Sequence, residues 1–163
     1  TVTGFTAVSS GDFNGDGKSD ILWQSTAPGS SNVHVTLMDG AIIAEKSTII
    51  GPGVGYTAYG TGDFDGDGKS DILFTDAGGD ALIWTMDGTS HTGSSGIFAK
   101  PSAGSVLRGA EDYNRDGSSD LLWQDGGTTR VQLVNPNLTA GGLININNAP
   151  GATFTLVGSS GGG

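Results

Sequence analysis

The 163-residue sequence contains no cysteine. It therefore has no disulfide framework, no thiolate zinc site and no Cys nucleophile. Basic residues are scarce: 7 Lys and Arg stand against 17 Asp and Glu, a net charge of −10. That balance argues against nucleic acid, whose phosphates need a Lys/Arg surface, and disfavours an anionic membrane surface for the same reason. No apolar run approaches the roughly 18 residues that span a bilayer, so no membrane insertion is expected. The Ala, Glu, Lys and Leu richness of a helical bundle is also missing, with charged residues at only 15 %. The chain starts at Thr1 with neither Met nor a signal-like segment, as expected of a processed or excised piece.

Glycine, in contrast, is abundant at 30 residues and shows no triplet period, which excludes collagen. With Ser, Thr and Asn it makes the composition of a turn-rich all-β protein. The acidic residues are clustered in three aligned segments: Gly11 to Trp23 (GDFNGDGKSDILW), Gly62 to Phe74 (GDFDGDGKSDILF) and Glu111 to Trp123 (EDYNRDGSSDLLW). Their first Asp residues fall at 12, 63 and 112, and repeats of about 50 residues mean propellers or solenoids before anything else. Similarity extends upstream (Phe5-Thr6-Ala7-Val8, Tyr56-Thr57-Ala58-Tyr59, Ser105-Val106-Leu107-Arg108) and downstream (33–40, 81–88 and, more weakly, 130–137).

Each repeat reads as four short strands, with hairpin signals at Asp39-Gly40 and Asp87-Gly88. Four-stranded units at this spacing are propeller blades. The expected architecture is all-β and β-propeller-like: one repeat domain over 1–163, with blades at about 4–54, 55–104 and 105–152. Phe154 to Gly158 copies the start of a blade, and Ser159 to Gly163 replaces the loop that should follow. An orphan first strand is therefore expected at about 153–158, giving an open arc or partial propeller. Open blades leave strand edges that invite pairing, so the expected partners are other copies of the chain or other blades of a longer one.

The segments place oxygen donors at positions 1, 3, 5 and 9, a backbone carbonyl at position 7 and Gly at position 6 for the sharp turn, which is calcium-loop spacing. Hard oxygens without His or Cys favour Ca²⁺ or Mg²⁺, and many donors on a flexible loop favour Ca²⁺. Three sites follow. The first uses Asp12, Asn14, Asp16, the Lys18 carbonyl and Asp20. The second uses Asp63, Asp65, Asp67, the Lys69 carbonyl and Asp71. The third uses Asp112, Asn114, Asp116, the Ser118 carbonyl and Asp120. These are not EF-hands, since position 12 holds Trp23, Phe74 or Trp123 in place of the bidentate Glu. Those three aromatics read as core.

The repeat resembles the FG-GAP/VCBS family, which includes the calcium-binding blades of integrin α-subunit propellers and several fungal lectins. The resemblance covers about residues 4–158. It is specific in the loops and looser in the strands, and the third repeat departs from it with Arg115 in place of Gly15 and Gly66. It implies a calcium-stabilised propeller, usually extracellular and usually non-catalytic.

No nucleophile–base constellation is evident. The two His residues, His34 and His91, are not in equivalent repeat positions and read as exposed strand or loop residues. The carboxylates outside the loops (Asp39, Glu45, Asp76, Asp80, Asp87, Asp125) look mostly like turn residues, and no enzymatic activity is expected. Ligand-binding candidates are positions that differ between matching repeats: Trp84 in the column of Thr36 and Gln132, and His34 and Arg130 in the column of Leu82. Trp84 either stacks on a sugar face or packs between blades. Asn137-Leu138-Thr139 is a glycosylation sequon, meaningful only in a glycosylation-competent source. Two functions stay open: a secreted or cell-surface module that binds a glycan or protein, or a structural subunit that self-assembles through open blade edges into a ring or extracellular fibre.

Overall fold

The computed structural model describes residues 3–146, so the orphan strand expected at about 153–158 lies outside the described residues. Twelve strands form three four-stranded antiparallel sheets. Blade 1 comprises β1 (Phe5–Gly11), β2 (Asp20–Ser25), β3 (Val33–Asp39) and β4 (Ile42–Ile49). Blade 2 comprises β5 (Thr57–Gly62), β6 (Asp71–Thr75), β7 (Ala81–Asp87) and β8 (Ser90–Ser94). Blade 3 comprises β9 (Val106–Glu111), β10 (Asp120–Asp125), β11 (Thr128–Val134) and β12 (Ala140–Ile146). Within each blade the strands pair in sequence order. The first strands are innermost, with β1 beside β5 and β5 beside β9. The outermost strands β4, β8 and β12 are largely exposed.

The core sits between blades because each sheet is apolar on both faces. Along β2, Leu22 joins a cluster with Phe13, Val33 and Val35 of blade 1 and Ile72, Phe74, Trp84 and Met86 of blade 2. Along β6, Leu73 faces the other way and joins Phe64, Ile83, Leu121 and Trp123 between blades 2 and 3. Alternation along one strand thus supplies both junctions. Phe74 and Trp123 are fully buried, as expected of core positions. Trp23 is only partly buried, because its side of blade 1 faces no earlier blade among the described residues; its indole N–H donates to Thr36 Oγ1 at 3.1 Å.

The repetition goes deeper than the sequence similarity. Every first strand slips register at the same place against its partner, between Ala7 and Ser9, between Ala58 and Gly60, and between Leu107 and Gly109. A β-bulge there bends and twists the inner strand. At the hairpins, Asp39 and Asp87 pair with Ile42 and Ser90, so the two-residue loops are Gly40-Ala41 and Gly88-Thr89. Gly40 and Gly88 hold φ of 62° and 60°. Gly at the first loop position is the type II′ requirement.

Candidate metal centre

The three acidic loops join the first and second strands of their blades and therefore lie at one end of the arc. Each is folded around its own first Asp. Asp12 accepts N–H groups from Gly15 at 2.7 Å and Gly17 at 2.7 Å. Asp63 accepts from Gly66 and Gly68, both at 2.8 Å. Asp112 accepts from Arg115 at 2.6 Å and Gly117 at 3.1 Å. Wrapping the backbone so tightly requires positive φ at position 6, where Gly17, Gly68 and Gly117 hold 81°, 85° and 93°. Position 3 caps position 5, through Asn14 to Asp16 N, Asp65 to Asp67 N and Asn114 to Asp116 N. Position 5 caps position 7 in turn, through Asp16, Asp67 and Asp116.

Position 9 has a role that spacing alone does not reveal. Asp20, Asp71 and Asp120 are completely buried. Each accepts one N–H from its own loop and one from the third strand of its blade. For Asp20 these are Phe13 N and Met38 N, both at 2.8 Å. For Asp71 they are Phe64 N at 2.9 Å and Met86 N at 3.0 Å. For Asp120 they are Tyr113 N at 3.1 Å and Val134 N at 3.0 Å. The residue is a clasp that fixes the loop to the sheet while leaving carboxylate lone pairs for an ion. Burial pushes all three carboxyls up, Asp71 to about 7, against the pull of the two N–H donors. The neighbouring Asp65 and Asp63 charges add to the rise at Asp71.

In blade 2, carboxylate oxygens of Asp63, Asp65 and Asp71 lie within 4.8 Å of one another. Three like charges at that separation repel strongly unless a cation sits among them. An all-oxygen donor set fits a hard divalent cation. Asp67 is tied to Lys69 Nζ at 3.4 Å, and Lys69 also reaches Asp87 at 3.1 Å. Blade 1 repeats the arrangement, with Lys18 Nζ 3.1 Å from Asp16 and 3.4 Å from Asp39. Direct hydrogen bonding from Lys18 lowers the carboxyl of Asp16 below its ordinary value, and both lysines soften the charge of their loops. In blade 3, Ser118 replaces the lysine, and Asn114 Nδ2 donates to Asp116 at 2.8 Å.

The chain belongs to the FG-GAP-like repeat family. The family model, described as FG-GAP-like repeat, matches residues 12–74 and 63–123, each match running from one acidic loop through the second strand of the next blade. No curated protein and no solved structure matches the chain.

The other site expectations fare differently. Trp84 is 6 % exposed, packed in the blade 1–blade 2 cluster with its ring edge against Phe74 and its face stacked on His91 at 3.9 Å. This is the packing alternative of its two sequence readings. His34 was expected to be exposed and is instead buried, its Nδ1 2.9 Å from Thr48 Oγ1 and its ring against Phe5. The reason is that β3 is an interior strand of its sheet, and Phe5 of β1 and Thr48 of β4 close over the ring. Burial holds its imidazole below the ordinary value. Arg130 is half-buried, donates to Asn145 Oδ1 at 3.0 Å and lies 3.8 Å from Asp125. Sequence reasoning missed Tyr59, an exposed aromatic in a groove of about 310 Å³ between blades 2 and 3, at the end away from the acidic loops. It sits at the inner-strand bulge, and a bulge turns a side chain out of the alternation that periodicity detects.

Proposed function

We propose that the chain is a calcium-stabilised, non-catalytic propeller module of a secreted or cell-surface protein, and that it binds a glycan or protein ligand in adhesion or recognition. The observation that carries this reading is one loop built three times at one end of the arc. In each, oxygen-bearing side chains at positions 1, 3, 5 and 9 are held by the same backbone N–H groups. FG-GAP repeats are generally non-enzymatic and typical of extracellular proteins, which supports the same reading. So does the use of other acids: Asp39 and Asp87 pair with the loop lysines, Glu45 accepts from Thr89, Asp76 holds its turn, Asp80 accepts from Lys100 N and Asp125 from Ser102.

The groove between blades 2 and 3 suits the ligand. Its lining combines the Tyr59 ring with Asp76 and Lys100. An aromatic face beside hydrogen-bonding groups is how a sugar is held. The test is a glycan array probed in calcium with the wild-type chain, Tyr59→Ala and Tyr59→Phe. The expected result is a bound glycan whose affinity falls at least about tenfold in Tyr59→Ala, the loss of roughly 1.4 kcal/mol of stacking. Tyr59→Phe should retain it. Binding untouched by Tyr59→Ala would move the ligand elsewhere.

A further inference from the structure

The two blade junctions rest on three repeated seats. Just before the first loop Asp, a Cβ added to Gly11 would stand 2.5 Å from Ser70 Oγ and 2.7 Å from Ser70 Cβ. One added to Gly62 would stand 2.8 Å from Ser119 Oγ. Those serines also make the main-chain link across each junction: Ser70 N donates to the Asp12 carbonyl at 2.6 Å and Ser119 N to the Asp63 carbonyl at 2.5 Å. At position 2, Phe13 and Phe64 are fully buried in the clusters shared with the following blade. At position 4, Gly15 and Gly66 back onto position 7 of the following blade, with Lys69 Cγ and Ser118 Oγ each 3.5 Å from an added Cβ.

Blade 3 has Glu111, Tyr113 and Arg115 at the same three places. Tyr113 is 44 % exposed where its counterparts are fully buried. Arg115 is exposed and keeps the φ of 64° that Gly15 and Gly66 hold at 74° and 77°. The loop conformation is therefore preserved at the cost of a strained non-Gly residue. What has changed is each of the three seats that would meet a fourth blade. At the other end, blade 1 keeps the incoming half of the junction, with Ser19 exposed where Ser119 is buried.

We propose that the loop end of blade 3 is a cap and the loop end of blade 1 a docking edge, so that the array extends in one direction only. The partner that fits the Ser19 edge is another FG-GAP-like blade whose loop carries Gly before its first Asp and again at position 4. A second copy of this chain cannot supply it from blade 3, since Glu111 would place a side chain where a seated serine must lie. Head-to-tail growth into a ring or fibre through blade 3 onto blade 1, a heterologous contact, is thereby closed to copies of this chain.

The full chain and its E111G/Y113F/R115G variant, compared by sedimentation velocity in calcium, test this. The wild type is expected not to run blade 3 onto blade 1, so Ser19→Trp leaves its sedimentation unchanged. The triple variant is expected to gain a concentration-dependent association that Ser19→Trp removes. A variant that sediments as the wild type does, or association indifferent to Ser19→Trp, overturns the proposal. So does wild-type association that Ser19→Trp abolishes. A second measurement does not depend on how the triple variant folds: Gly62→Glu copies Glu111 into an occupied junction and should lower the melting temperature by about 5 °C or more. A Gly62→Glu chain that melts with the wild type would show that a carboxylate fits beneath a following blade and that Glu111 bars nothing.

Discussion

In the metal-free protein, stability should fall as pH rises from 5 to 8. Asp71 is the reason. Its carboxyl is raised from 3.8 to about 7 by burial first and by the Asp65 and Asp63 charges after it. A group raised in the fold is proton-bound there while the unfolded chain has already released its proton. Its contribution is therefore intact below about pH 4 and is lost as pH climbs through about 7. Each pH unit well inside that window costs about 1.4 kcal/mol, and with the group half titrated at pH 7 the span from pH 5 to pH 7 removes roughly 2 kcal/mol. For a chain of this length that is a drop in melting temperature of about 5–10 °C. Asp20 and Asp120 are raised by the same cause and add in the same direction. His34, lowered by burial, acts oppositely, its contribution being present above about 6.5 and lost progressively as pH falls below it. The assay is a set of thermal melts at pH 5, 6.5 and 8 on protein stripped of metal, repeated with Asp71→Asn and with saturating calcium. The decline should shrink in Asp71→Asn and vanish in calcium, where the ion keeps the carboxylate charged. A metal-free melting temperature that is flat or rising from pH 5 to 8, or a full decline in Asp71→Asn, would refute the reasoning.

Calorimetric titration with calcium should separate ligands from their neighbours. Asp16→Ala and Asp67→Ala should each abolish binding at one loop, while Lys18→Ala and Lys69→Ala should retain it or tighten it slightly by freeing the paired Asp; equal losses in the two sets would contradict the ligand pattern. Loop 2, with four carboxylates against three plus Asn in loops 1 and 3, should fill first, and Asp65→Asn should bring it level. Trp84→Ala should cost about 3–5 kcal/mol in denaturant unfolding, as removal of a buried aromatic does; a loss under about 1 kcal/mol would mean the ring is not packed as described.

Much of this was legible because a repeat states its message three times. One Asp-rich turn is ordinary, but three in register set the loops, the blade spacing and the strand order. The outcome for Phe74, Trp123 and Trp23 shows where the reading stops. All three share one column, yet burial depends on whether a blade lies in front, which composition and period do not encode. Position 9 was read as a ligand from its oxygen, whereas its second task depends on Met38, Met86 and Val134, residues 14 to 18 positions away across the sheet. His34 and Trp84 were misjudged or ambiguous for a related reason. Difference between repeats marks a ligand site only when the position faces solvent, and β3 and β7 are buried along most of their length. Arg115 read as a departure from the repeat and Glu111 drew no comment, until the neighbouring blade showed what the glycines at those places accommodate.

The central claim is that three loops hold calcium and that the ions stabilise the fold. At about 1 mM calcium and a dissociation constant of about 10 μM, each site contributes roughly 2.7 kcal/mol. Three sites give about 8 kcal/mol, comparable with the whole stability of a typical domain. The direct measurement is the melting temperature at pH 7.5 in about 1 mM calcium and again in excess chelator, where the account predicts a fall of roughly 15–30 °C. The same melting temperature in both would contradict it.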